Sequence, residues 1–96
     1  MKMVMIVYNE AVDQEAMAMF DTFAVKNYTK VLGVYGRGTA SGTHLGDDIW
    51  PGRNNILYVC CDEVQSNKII AQVKELRKQL GHEGIKAFVM PVEDLT

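Results

Sequence analysis

Tyr28 to Tyr35 reads YTKVLGVY and Ile56 to Cys61 reads ILYVCC. Both runs are β-branched and aromatic with almost no charge, the composition of strands that pack on a sheet. Between them lies Gly36–Asn55, a stretch with five glycines and neither a helical nor a strand period. Structureless connections beyond about 12–15 residues are uncommon inside a compact domain. Part of this stretch is therefore expected to prolong the flanking strands as a hairpin arm, and the rest to serve function.

Outward from this pair, the remaining elements follow in mirror order. Met3–Tyr8 (MVMIVY) is a compact apolar run, expected as a strand buried on both faces. Asn9 or Asp13 is the candidate cap of a helix in which Val12, Ala16, Met19, Phe20, Phe23 and Ala24 recur at helical spacing. Lys26-Asn27 is its expected stop. Downstream, Ser66 is the expected cap of a second helix whose faces are marked by Ile69, Ile70, Val73, Leu76, Arg77 and Leu80. Gly81 is placed to end it. Ile85–Val92 (IKAFVMPV) is the last strand, with Pro91 restricting it to an edge or a strand end.

The order β-α-β-β-α-β with right-handed crossovers has one economical solution. It is an α+β, ferredoxin-like sandwich: a four-stranded antiparallel sheet with both helices on one face. Met, Val, Ile, Leu, Tyr and Cys fall on both sides of the strand alternation, and two helices cannot shield both. The bare face is expected to be covered by further copies of the chain.

Composition limits the function classes. At 96 residues and 10.8 kDa, one domain is expected. Hydrophobic residues at 48% against 23% charged exclude a disordered tail. A net charge of -2 supplies no basic field for nucleic acid. No apolar run approaches the roughly 20 residues of a bilayer-spanning helix, so no direct membrane insertion is expected. Met3–Tyr8 runs into Glu10 and Asp13 and does not read as a secretion signal. Cys60 and Cys61 are adjacent, point to opposite faces of a strand and form neither a bridge nor a redox pair. A soluble, cytoplasmic protein is the expectation.

At Val31-Leu32-Gly33-Val34-Tyr35-Gly36-Arg37-Gly38 the sequence resembles the second strand and loop base of the PII signalling proteins (nitrogen regulatory protein P-II, GlnB-like), as a divergent member. The likeness extends as topology over most of the chain and reappears at Lys86-Ala87-Phe88-Val89. It implies a homotrimer with sheets facing inward, adenine nucleotides (ATP, ADP or AMP) between subunits, and a protruding T-loop that plugs a target protein. It implies a regulator, not an enzyme. Gly36 and Arg37 match the strand-end glycine and arginine beside the nucleotide. Gly38 stands where the family usually carries a glutamine for a 2-oxoglutarate–magnesium–ATP assembly. Arg53 corresponds to a lysine that approaches 2-oxoglutarate or phosphate, and Lys86 to the lysine that meets a phosphate. The glycine-rich phosphate loop is reduced to Gly81-His82-Glu83-Gly84, the loop tyrosine is absent between Gly36 and Asn55, and Thr96 precedes the family's further arginines.

The residues themselves support several chemistries. Gly36 to Thr43 offers backbone N–H groups, hydroxyls and a guanidinium, the groups a phosphate uses, and equally describes a glycine-rich arm with no ligand. His44, Asp47 and Asp48 form the one compact set of hard metal ligands, three where a structural zinc site uses four, and equally a solvated acidic loop. The six methionines invite a soft-metal reading, but core filling explains them. Trp50 must bury its ring either within its own assembly or in a partner. No serine or cysteine nucleophile comes with a nearby base.

Two functions are weighed. In the first, a PII-like module senses an adenine nucleotide or another anion at Gly36, Arg37, Gly38, Arg53 and Lys86. It controls a transporter or enzyme through a mobile loop, residues 38–55, anchored by Trp50. In the second, a trimer similar to the CutA family binds a divalent metal at His44, Asp47 and Asp48. The Tyr35-Gly36-Arg37 segment favours the first.

Overall fold

The computed structural model describes residues 1–36, 53–80 and 84–96. Strand β1 (Lys2–Asn9) leads through a 3-10 turn (Glu10–Val12) into helix α1 (Asp13–Thr22). Strands β2 (Thr29–Tyr35) and β3 (Arg53–Cys61), helix α2 (Glu63–Leu80) and strand β4 (Ile85–Pro91) follow. The sheet order is β2-β3-β1-β4, every neighbouring pair antiparallel. This is the ferredoxin-like arrangement expected from the element order, with Pro91 ending an edge strand.

The alternation of β1 decides which side is the core. Val4, Ile6 and Tyr8 are almost wholly buried, and the register places them level with Val59, Leu57 and Asn55 of β3 and with Val89, Ala87 and Ile85 of β4. Onto this face pack Ala16, Met19 and Phe20 of α1 and Ile69, Val73 and Leu76 of α2. Each large aliphatic side chain buried here contributes on the order of 2 kcal/mol. The expectation that β1 is buried on both faces is corrected: Met3, Met5 and Val7 are only half-buried. With Ile56, Tyr58 and Cys60 of β3 and Phe88 and Met90 of β4 they form an apolar sheet face that no helix covers.

Local chemistry moved three boundaries. Asn9 caps the 3-10 turn, its Oδ1 accepting from the Ala11 amide at 2.9 Å. Helix α1 stops at Thr22, short of Lys26-Asn27, because Ala24 turns into the left-handed region at φ 55. Its amide donates to the Asp21 carbonyl and that of Val25 to the Phe20 carbonyl, the paired bonds of a Schellman ending. Helix α2 starts before Ser66: Asp62 Oδ1 accepts from the Gln65 amide at 2.7 Å, while Ser66 is buried inside the first turn. Across the layer, Gln65 Nε2 donates to the Phe23 carbonyl at 3.1 Å, satisfying the end of α1.

Candidate functional site

The C-terminal ends of β1 and β2 and the N-terminal ends of β3 and β4 lie at one end of the sheet. Gly36, Arg53 and Gly84 therefore lie at that end. Here β2 carries an extra residue: Val31 pairs with Ile56 and Val34 with Asn54, so three steps on β2 span two on β3. This is a β-bulge. Gly33 absorbs it at φ 65, a backbone region that costs other residues more.

Two asparagines of β3 brace the bulged strand. Asn55, nearly buried, accepts the Gly33 amide on Oδ1 at 3.2 Å and donates Nδ2 to Asp13 Oδ1 at 3.4 Å. Asn54 lies against Gly36, where a Cβ would stand 2.6 Å from Nδ2. A glycine is thus required unless the Asn54 carboxamide moves. Asp13 also accepts the Tyr8 hydroxyl at 2.6 Å and is paired with Lys30 Nζ at 2.8 Å. Burial alone would raise the Asp13 carboxyl, but hydrogen bonds from Lys30 and Tyr8, the Lys30 charge and Asn55 outweigh it. The carboxyl is held below the usual carboxylate range. Burial and then the Asp13 carboxylate push the Tyr8 phenol well above its ordinary value.

Of the residues singled out from sequence, Gly36, Arg53 and Lys86 fall within the described structure. Gly36 and Arg53 are close, since Arg53 pairs with Tyr35. Both are exposed, as is Lys86. Lys86 pairs with Val7 on β4, the opposite edge of the sheet. Three strand intervals separate the edges, roughly 14 Å. Gly36, at the end of β2, is thus about 14 Å from β4, and Arg53, on β3, about 10 Å. Lys86 Nζ sits 5.3 Å from the Phe88 ring centroid on the uncovered face. Arg37, Gly38, Trp50, His44, Asp47 and Asp48 lie outside the described residues, as do Gly81, His82 and Glu83. Among the described residues no three His, Cys, Asp or Glu side chains gather to hold a metal, and no helix is long and apolar enough to cross a membrane. Cys60 is exposed on the open face and Cys61 buried beneath the helices, as the alternation requires.

The network of Tyr8, Asp13, Lys30 and Asn55 was not legible in sequence. Asp13 reads there as a helix cap, and Asn55 as the last residue of a loop. The one available signal was an aspartate opening a helix directly after a strand that ends in tyrosine.

The profile of the family Nitrogen regulatory protein P-II matches residues 1–96. The chain belongs to the P-II family. Among curated proteins none matches. Among solved structures, this P-II protein is similar to a PII-like signalling protein from Thermus thermophilus, at 22% identity and a TM-score of 0.67, covering 95% of this chain and 84% of that one. It is also similar to CPII, a nitrogen regulatory PII-like protein from Thiomonas intermedia, bound to ADP, AMP and bicarbonate. That match has 17% identity and a TM-score of 0.71, with 95% of this chain and 88% of that one covered. CPII bound to ADP, AMP and acetate matches at 17% identity and a TM-score of 0.69, covering 92% and 81%. At such identities these structures establish the shared fold of the P-II protein.

Proposed function

We propose that this P-II family protein is a cytoplasmic signalling regulator, not an enzyme, that assembles as a homotrimer and binds an adenine nucleotide between subunits. ATP, ADP or AMP would meet Gly36, Arg37, Gly38 and Arg53 beside the β2–β3 pair of one subunit and Lys86 at the β4 edge of the next. Residues 38–55, with Trp50 as apolar anchor, would then engage a target protein, a transporter or an enzyme.

The observation that carries this reading is that Gly36, Arg53 and Lys86 all lie exposed at one end of the sheet. The β2 and β4 edges are roughly 14 Å apart, so subunits packed side by side would set the Gly36–Arg53 side of one against the Lys86 edge of the next. The uncovered apolar face supplies the reason for copies to associate, since sheet faces of this kind are buried in stable oligomers. CPII supports the ligand class, because it is a PII-like protein whose structures carry ADP and AMP with bicarbonate or acetate. A ligand acts on the segment that begins at Gly36 only by binding one arrangement of it better than another.

Isothermal calorimetry with ATP, ADP and AMP, each with and without bicarbonate, tests the reading. The expected outcome is saturable heat for at least one nucleotide, lost in Arg53→Ala and in Lys86→Ala. Absence of heat for all three removes the nucleotide. The CutA-like alternative rests on His44, Asp47 and Asp48, which lie outside the described residues.

A further inference from the structure

We infer that Asp13 and Asn55 are positioning residues for the ligand loop: they hold the β2 bulge in the arrangement that carries Gly36 against Asn54. A bulge leaves an amide without its ladder partner. At Gly33 the missing partner is replaced by a side chain, Asn55 Oδ1 at 3.2 Å. Asn55 is itself fixed from the other side by Asp13, and Asp13 by Tyr8 and Lys30. The chain of contacts links the first residue of α1, the centre of the sheet and the edge strand three residues before the loop begins.

The residue types fit this task. Only a side chain that accepts and donates at once can serve the Gly33 amide and the Asp13 carboxylate together. A leucine of similar size does neither, and an aspartate accepts but cannot donate. Lys30 lies on β2 itself, so its ion pair with Asp13 ties the edge strand to α1 on the near side of the bulge. Gly36 is where this geometry ends: its backbone runs so close to Asn54 Nδ2 that no Cβ fits without displacing the carboxamide. A different bulge would direct residue 37 onward from a different place. The consequence for nucleotide binding rests on the function proposed above; the mechanical part does not.

Amide hydrogen exchange and ADP calorimetry on the full chain separate the two. In Asn55→Asp and Asp13→Asn, exchange at Gly33, Val34 and Gly36 should quicken at least tenfold, while Ile69 and Val73 in α2 stay within twofold of wild type. The ADP Kd should rise at least tenfold in both, with Glu75→Gln on the far helix as an unaffected control. Exchange at Gly33–Gly36 within twofold of wild type, or acceleration spread equally to α2, overturns the inference. If wild type itself takes up no ADP, the nucleotide reading fails and the exchange ratio still decides the positioning role. Should Asn55→Asp not fold, exchange in Asp13→Asn decides by the same thresholds.

Discussion

Tyr8 and Asp13 are joined across the junction of β1 and α1 by a 2.6 Å hydrogen bond from the phenol to the carboxylate. The pair anchors the first turn of α1 to the central strand, and Lys30 extends the anchor to the sheet edge. A hydrogen bond to a charged group contributes about 1.5–3 kcal/mol, and the partial exposure of Asp13 reduces that through solvent screening.

Asp13→Asn should therefore cost about 1 kcal/mol in urea denaturation. The pH dependence has a definite sign. The folded carboxyl is held below its ordinary value, so its contribution is complete above the unfolded value near 3.9 and disappears as pH falls through the folded value. The stability gap between wild type and Asp13→Asn should be constant from pH 7 to about 5 and close progressively below about 4.

Ala24 occupies the left-handed position of the α1 ending at φ 55. An L-residue there costs roughly 1–2 kcal/mol that glycine does not. Part of the gain is offset by the greater freedom of glycine in the unfolded chain. Ala24→Gly should stabilise the fold by about 0.5–1 kcal/mol, read as a higher denaturation midpoint at unchanged m-value. A decrease would show that the Schellman ending is not formed in solution.

Gly36 and Asn54 should behave as a coupled pair. Gly36→Ala pushes a methyl toward Asn54 Nδ2, and the Asn54→Ala background removes that carboxamide. A double-mutant cycle should return a coupling of about 0.5–1 kcal/mol, with the double variant more stable than additivity allows.

The two cysteines should differ sharply. Burial, and then the neighbouring Asp62, raise the Cys61 thiol above its usual range, so it should react with a thiol reagent only on unfolding. Cys60 is exposed on the open sheet face. In the proposed trimer that face is covered, so Cys60 labelling should slow as protein concentration rises through the assembly range. A Cys60 rate independent of concentration would argue against burial of this face between copies.

Phe88 tests the same face by charge. Phe88→Glu places a carboxylate on the uncovered apolar surface without touching the helix-side core. Sedimentation should show the variant shifted toward a 10.8 kDa species at concentrations where wild type is assembled. Folded monomers of both at all concentrations would remove the trimer from the proposal.

Element order was legible because apolar periodicity is a local property: MVMIVY, YTKVLGVY, ILYVCC and IKAFVMPV alternate or run apolar whatever surrounds them. The resemblance at Tyr35-Gly36-Arg37 carried the family for the same reason, since it is written in consecutive residues. The bracing of the loop base was not legible. Lys30 and Asn55 lie 17 and 42 positions beyond Asp13, and nothing in their local patterns signals a meeting. The end of α1 and the start of α2 also escaped: Ala24 acts through a backbone angle that its sequence does not announce, and the Asp62 side chain takes the capping role expected of Ser66.

From its residues alone this chain is committed to two β-α-β units and to an apolar surface larger than its helices can cover, because side-chain alternation is set by the two-residue repeat of a strand. Tertiary structure decided the rest. Strand register sets Asn54 and Asn55 beside the bulge, gathers the Tyr8–Asp13–Lys30 cluster, and leaves Gly36 and Lys86 on opposite edges of the sheet. Those relations depend on how distant strands pair, and pairing is settled only when the whole core packs.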